Sequence, residues 1–299
     1  MANSPQRYAV VTGANKGIGL EISRQLASKG VMVILTARDE KRGLEAFEKL
    51  KESGLSDNNL VFHQLDVSDP ASITNLADFV KNKFGKLDIL VNNAGVGGTT
   101  VDYEALNAAK ITATEADLAN VWGKVLIQSY EAAEECLKIN YFGAKRTAEA
   151  LIPLLQFSDS PRIVNVSSHT GKLKNIPGEE LRGVLRDVDT EDKLDGLILE
   201  FLKDFKENSL ESKGWPPFLA AYTVSKVAMN VYTRILANKY PKFSINCVCP
   251  GFVKTDMNFN TGTQSVEEGA ATPVKLALWP TNAPTGLFFF QGEPISYDD

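Results

Sequence analysis

Tyr222 and Lys226 stand four residues apart in YTVSK, a spacing that turns both to one face of a helix. A phenol ionising near pH 10 is a poor acid–base group at neutral pH. An ammonium beside it stabilises the phenolate and lowers that pKa. Taken alone, a Y-x-x-x-K pair recurs in many solvent-facing helices. It gains meaning from IVNVSSHTG, which closes a strand on Ser167 and Ser168, where a serine hydroxyl can hold a carbonyl oxygen. Phenol, ammonium and hydroxyl together make a device for proton transfer at a carbonyl.

A second group of residues suits a phosphate. TGANKGIG (12–19) joins an apolar strand to a helix, and Gly13, Gly17 and Gly19 let the backbone turn tightly there, with Asn15, Lys16 and Ile18 between them. Such a turn brings a pyrophosphate to the positive end of the helix. The spacing is G-x-x-x-G-x-G, so the commoner G-x-G-x-x-G dinucleotide fingerprint does not apply. At the tip of the second strand a carboxylate would select the ribose 2′-hydroxyl of NAD, but LTARDE offers Arg38. Arg38 with Lys16 suits a 2′-phosphate dianion, so NADPH is expected over NADH. Asp39, one step later, works slightly against this. NNAG (92–95) forms a turn able to lie along the cofactor, and CPGFVKT (249–255) offers Pro250, Val253 and Thr255 to fix the nicotinamide carboxamide.

The elements that must position these residues alternate from the start. Apolar runs at 8–12, 31–36, 60–66, 88–95, 162–168, 243–249 and 286–291 predict seven strands, with helices near 18–29, 40–53, 70–84, 132–155 and 219–239. Continuously apolar strands between helices imply an α/β fold, a doubly wound seven-stranded parallel sheet covered on both faces. Residues 1–299 are therefore expected to form one Rossmann-like catalytic domain. Two insertions, about 97–130 and 171–217, leave the carboxyl ends of strands, where open α/β sheets bind ligands. The second carries an amphipathic helix through Leu194, Ile198, Phe201 and Phe205. A substrate pocket is expected from both insertions, with Val96, His169 and Met257 beside them. Trp215 and Phe218, just before the catalytic helix, are candidates for its wall, core packing being the alternative.

Composition narrows the partners. With 32 Lys and Arg against 37 Asp and Glu the net charge is −5, which argues against nucleic acid. Cys136, Cys247 and Cys249 are too few for a disulfide framework, and with only His63 and His169 no metal site is expected. No window reaches the apolar length of a membrane span. MANSPQRYAVV lacks a leader pattern and PISYDD lacks a lipidation signal, so a cytosolic protein is expected.

TGANKGIG, NNAG, the serine pair, YTVSK and CPGFVKT, in that order, resemble the short-chain dehydrogenase/reductase family over nearly the whole chain. The resemblance implies that Tyr222 protonates the forming alkoxide, that Lys226 lowers its pKa and binds the nicotinamide ribose, and that Ser168 polarises the carbonyl. It implies that Asn140, in KINYFGA, holds a water in a proton relay. It further implies that Asp66 and Val67 flank adenine, that Asn93, Ala94 and Gly95 touch the cofactor ribose, and that Pro250, Gly251, Val253 and Thr255 face the nicotinamide. The long interval between Ser168 and Tyr222 resembles the branch of monomeric carbonyl reductases and plant menthone and salutaridine reductases. That implies a monomer, because the extra helix would cover the family's dimer face. Reduction of a menthone-like or other hydrophobic cyclic ketone is the leading expectation. An alkaloid-ketone or broad aldehyde reductase, or a non-catalytic dinucleotide-binding protein, are the alternatives. Tyr222 favours reduction of C=O over C=C, since the latter needs a proton delivered to carbon.

Overall fold

In the computed structural model, residues 6–55, 59–102, 104, 125–280 and 283–299 are described. The first half of the sheet is built from β1 (Tyr8–Val11), β2 (Met32–Ala37), β3 (Leu60–Gln64) and β4 (Ile89–Asn92), joined by α1 (Gly17–Ser28), α2 (Glu40–Glu52) and α3 (Pro70–Phe84). Local chemistry sets these ends. Asp39 caps α2 by accepting from the Arg42 N–H at 2.9 Å, and Asp69 caps α3 from the Ala71 N–H at 3.0 Å. Gly85, at φ 72°, closes α3 in the left-handed region.

The second half adds β7 (Arg162–Val166), β8 (Ser244–Cys249), β9 (Phe288–Phe290) and β10 (Glu293–Ile295). Its helices are α4 (Tyr130–Leu137), α5 (Ala144–Leu155), α6 (Glu179–Asp187), α7 (Glu191–Lys206), α8 (Ala220–Lys239) and α9 (Val266–Ala277). The sheet runs β10-β9-β8-β7-β4-β1-β2-β3, parallel throughout except for β10. Strand order reverses between β1 and β4, and the carboxyl ends of strands at such a switch point are where open α/β sheets bind ligands. Consecutive strand residues face opposite cores. Val10, Ile34, Leu90 and Ile163 pack under α3, α5 and α8, whereas Val11, Leu35, Val91 and Val164 pack under α1, α2 and α9.

The structure departs from the sequence reading in four places. An eighth strand, β10, returns antiparallel through Gln291 and Gly292, both at positive φ; at three residues with a central proline it gives little periodic signal, and proline is tolerated on such an edge. Helix α9 was not anticipated, although the parallel pair β8–β9 requires a crossover. Its start carries a capping box, Ser265 with Glu268, and Pro273 inside the helix obscures the pattern. The helix expected over 132–155 is interrupted by a π-helical turn, Lys138–Gly143. The fourth departure is Trp215. It is 2% exposed, donates from Nε1 to Asp204 Oδ2 at 2.8 Å and meets the Phe201 ring edge-on at 5.2 Å, so it is core of the second insertion and no pocket wall. A ring of that size with a satisfied N–H contributes most when fully buried.

The second insertion is an ordered layer, with α7 against α4 and α8. Tyr141 donates to Asp195 at 2.7 Å, Lys145 pairs with the same carboxylate, and Lys239 pairs with Glu191 at 2.7 Å. Of the first insertion, a short ribbon of β5 (Thr100–Val101) and β6 (Leu126–Ile127) is seen; residues 103 and 105–124, expected to line the pocket, lie outside the described residues.

Candidate active site

The glycine turn is tied to the end of β4. The Asn93 amide donates to the carbonyls of Thr12 (2.9 Å) and Gly13 (3.1 Å), while the Thr12 hydroxyl accepts from the Asn93 and Ala94 N–H groups, each at 3.0 Å. Gly13 (φ 62°) lies so close that an added Cβ would meet Ala94 Cα at 2.8 Å. Gly19 packs under Asn93 in the same way. Helix α1 starts with no side-chain cap and no acidic residue in its first turn, which leaves its positive end to an anion. A backbone cradle that a Cβ would fill, aimed by an uncapped helix, fits a dinucleotide. Thr12 was not singled out from sequence; its place one residue before the first glycine is the signal that would have found it.

Of the two cations, Lys16 lies within this turn and Arg38 directly follows β2. Lys16 pairs with Asp256 at 2.8 Å and Arg38 with Glu135 at 3.7 Å, all four side chains well exposed. Asp39, which weighed against a 2′-phosphate, spends its carboxylate on capping α2. Asp66 accepts from both the N–H and hydroxyl of Ser68, at 2.8 and 2.7 Å, and so shapes the turn after β3. Val67 is pressed against Gly143, where a Cβ would come within 2.9 Å of it. Asn15 and Ile18 are half-buried within the turn.

The four expected catalytic side chains converge at the carboxyl end of β7. Helix α8 carries Tyr222 and Lys226 one turn apart, and Ser168, two residues beyond β7, lies close enough to the Tyr222 phenol to pull its pKa down. Lys226 is 5% exposed; its Nζ donates to the Val166 carbonyl at 2.9 Å and lies 5.6 Å from the centre of the Tyr222 ring. Asn140 sits in the π-helical turn, a conformation that clusters at functional positions. Its side chain clamps the Val96 backbone, accepting from the N–H at 2.8 Å and donating to the carbonyl at 3.0 Å, and also donates to Ser225 Oγ at 3.0 Å. Ser225 and Cys136, whose thiol lies 3.2 Å from the Asn140 amide, complete this knot and were not expected from sequence.

Burial dominates the electrostatics. It pushes the Tyr222 phenol up to about 12, against the neighbouring Ser168 hydroxyl that pulls it down, and it pushes Lys226 down to about 8. Lys226 Nζ donates to the Val166 carbonyl at 2.9 Å, and the same desolvation lowers its own pKa. The consequence is a phenol that keeps its proton at neutral pH beside a hydroxyl able to hold an oxygen.

The segment after β8 closes the other side. Gly251 takes φ 92°, and a Cβ there would run into the Gln264 side chain. Thr255 lies where a Cβ on Gly17 would meet it at 3.4 Å, so this segment abuts the glycine turn. The Val253 side chain is buried against Gly269, leaving only its backbone for a ligand; Pro250 is half-buried at the strand end. Among the expected substrate contacts, Val96 is held by Asn140 and Met257 is 51% exposed beside Thr255. The His169 ring packs on Phe290 at 4.3 Å, and burial together with Lys172 and Lys174 pulls its pKa down.

Glycine turn, paired strand ends and a Ser–Tyr–Lys cluster with a buried asparagine define a dehydrogenase of the short-chain class. The sequence pattern of that family, described as short chain dehydrogenase, matches residues 7–179 and 208–265, and the chain belongs to it. The interval passed over, 180–207, holds α7 and nearly all of α6. The chain is 61% identical to Short-chain dehydrogenase/reductase 1 of Saponaria officinalis, over 98% of this chain and 97% of that one. It is 58% identical to (+)-neomenthol dehydrogenase of Arabidopsis thaliana, over 97% of each. The solved structure of salutaridine reductase from Papaver somniferum superposes with a TM-score of 0.89 at 54% identity, covering 95% of this chain and 99% of that one. The protein is an oxidoreductase of a family that uses a nicotinamide dinucleotide.

The lowered Lys226 pKa carries a stability signature. Between pH 8 and the ordinary lysine pKa near 10.4 the unfolded chain binds more protons than the native one, so this group makes stability rise with pH. Urea unfolding at pH 7 and 9 is expected to show the native chain gaining about 1 kcal/mol relative to Lys226→Met. Identical pH dependence in the two chains would remove the buried-ammonium account. The difference is needed because Cys136 and Cys247, both pushed up to about 12, act in the opposite direction in both proteins.

Proposed function

We propose that this protein reduces a hydrophobic cyclic ketone to its secondary alcohol with NADPH, menthone-like monoterpenoids standing first. The observation that carries the reading is the gathering of Ser168, Tyr222 and the buried Lys226 at the carboxyl end of β7, with Lys226 one turn along α8 from a phenol that keeps its proton. The names of its relatives, a neomenthol dehydrogenase and a salutaridine reductase, point to ketones of this kind. The second of these makes a bulkier alkaloid ketone the second candidate.

Residues of the chain take the following parts. Gly13, Gly17 and Gly19, with the first amides of α1, hold the pyrophosphate, and Lys16 and Arg38 receive the 2′-phosphate, exchanging their contacts with Asp256 and Glu135 for it. Thr255 and the backbone of 250–253 flank the nicotinamide, and Lys226 approaches its ribose. The bound nicotinamide supplies the hydride. Ser168 and Tyr222 hold the carbonyl oxygen, and as charge develops there Tyr222 transfers its phenolic proton to it. Lys226 then faces a phenolate, which its ammonium stabilises. Asn140 keeps Val96 and α8 in fixed relation beside this exchange.

We further propose one catalytic domain acting as a monomer, since α7 packs on α4 and α8, with Asp195 bonded to Tyr141 and Lys145 and Glu191 paired with Lys239 on α8. The three cysteines are unpaired, which favours a reducing compartment such as the cytosol. Light scattering on a sizing column is expected to give the chain mass of 32.6 kDa, and a stable dimer would overturn the monomer.

Two further outcomes test the chemistry. Purified protein is expected to oxidise NADPH when menthone is added, and Tyr222→Phe to lose at least about 100-fold in kcat while still binding NADPH. A Tyr222→Phe enzyme as active as the native one would eliminate the phenol as acid. Arg38→Asp is expected to raise the KM for NADPH about tenfold or more and to leave that for NADH within a few-fold. Equal losses with both would remove Arg38 from the 2′-phosphate.

A further inference from the structure

Helix α8 begins under strain. The residue at its cap position, Leu219, adopts a left-handed conformation (φ 47°, ψ 37°) and has no polar side chain with which to cap the first turn. Tyr222 is the third residue of that helix, so whatever fixes the first turn also aims the phenol.

One remote side chain supplies the missing cap. Gln128 Oε1 accepts from the Ala220 N–H at 2.7 Å, and its Nε2 donates to the Pro217 carbonyl at 2.9 Å. The two bonds grip the chain on both sides of the Leu219 kink. Gln128 itself follows β6, at the close of the first insertion, and precedes Ser129, whose hydroxyl caps α4 by accepting from the Ala132 N–H at 3.2 Å. Helix α4 runs on to Asn140, which donates to Ser225 on α8 at 3.0 Å. The helices leading to Asn140 and Tyr222 are therefore joined twice, by Gln128 at their starts and by Asn140 further along.

We propose that Gln128 is a positioning residue for carbonyl reduction, which fixes the direction of the Tyr222 phenol by capping α8 from the end of the first insertion. The inference rests on Tyr222 acting as the proton donor. Among the described residues the hydrogen bonds of the Gln128 side chain go to Pro217 and Ala220 and none to the glycine turn or Lys226, so its loss separates proton delivery from cofactor binding. A glutamate at the same position keeps the acceptor for Ala220 and loses the donor to Pro217, which isolates the cap.

The test compares native protein, Gln128→Ala, Gln128→Glu and Tyr222→Phe, with NADPH and menthone as the probe pair. Gln128→Ala is expected to lower kcat about tenfold or more, with the KM for NADPH within twofold and a larger solvent deuterium isotope effect on kcat, because proton transfer from a misaimed phenol becomes slower. Gln128→Glu is expected to recover most of the native kcat. An alanine variant with native kcat and an unchanged isotope effect overturns the proposal. So does one whose NADPH affinity and melting temperature fall in step with its kcat, which marks a structural role alone. Amide hydrogen exchange at Ala220–Tyr222 gives a readout independent of substrate: it is expected to quicken in Gln128→Ala, and unchanged exchange overturns the cap. Native protein inactive on menthone, with that exchange nevertheless quickened, counts against the substrate and leaves the cap standing.

Discussion

Everything at the centre of this molecule is arranged around one buried ammonium. Lys226 is removed from water, forms no ion pair among the described residues, and holds to a single carbonyl, that of Val166. An unpaired charge in such a place is costly, and the lowered pKa expresses that cost. The neighbouring backbone must therefore come close and stay fixed. Gly171 meets the carbonyl of Lys226 where a Cβ would stand at 2.7 Å, and Asn230, one turn along α8, donates to the Gly171 carbonyl at 2.9 Å. Gly95 approaches the ammonium from the β4 side. The ends of β4 and β7 and the first half of α8, which carries Tyr222, are thus brought together.

The second insertion solves a different problem. Laying a helix over α4 and α8 buries apolar surface, but apolar contact alone fixes neither its rotation nor its register. Directional bonds do: Tyr141 and Lys145 converge on Asp195, Trp215 on Asp204, and Lys239 on Glu191. The chain end secures the same layer, since the Leu173 N–H donates to the Tyr297 carbonyl at 2.8 Å and Arg186 pairs with Asp298 at 3.1 Å. Site and insertion share this framework, because α8 carries Tyr222 on its first turn and receives α7 along its flank.

Much of the fold was legible because parallel strands buried on both faces must be short, continuous apolar runs, and seven were found at nearly their observed bounds. What escaped were elements whose signal is not periodic. Strand β10 has three residues, one a proline, and α9 is a helix with proline inside it, identifiable only by its capping box. In the site, glycines and the Y-x-x-x-K spacing were readable because the backbone or the helix period forces them. Trp215 was ambiguous for the same reason any aromatic is: pocket walls and cores use the same residues, and only its bond to Asp204 and its burial separate them.

The amino-acid sequence by itself determined the alternation of strands and helices, the glycine turn and the four side chains expected to carry the chemistry, since these follow from local patterns of size, charge and spacing. Tertiary structure decided what each group experiences. It engaged Asp39 in a helix cap, left Lys16 and Arg38 facing Asp256 and Glu135, and raised the Tyr222 phenol where local reasoning lowers it. It also set Gln128 against a helix more than 90 residues away in the chain. Desolvation and long-range hydrogen bonding depend on what packs around an atom, and residues distant in sequence supply that packing.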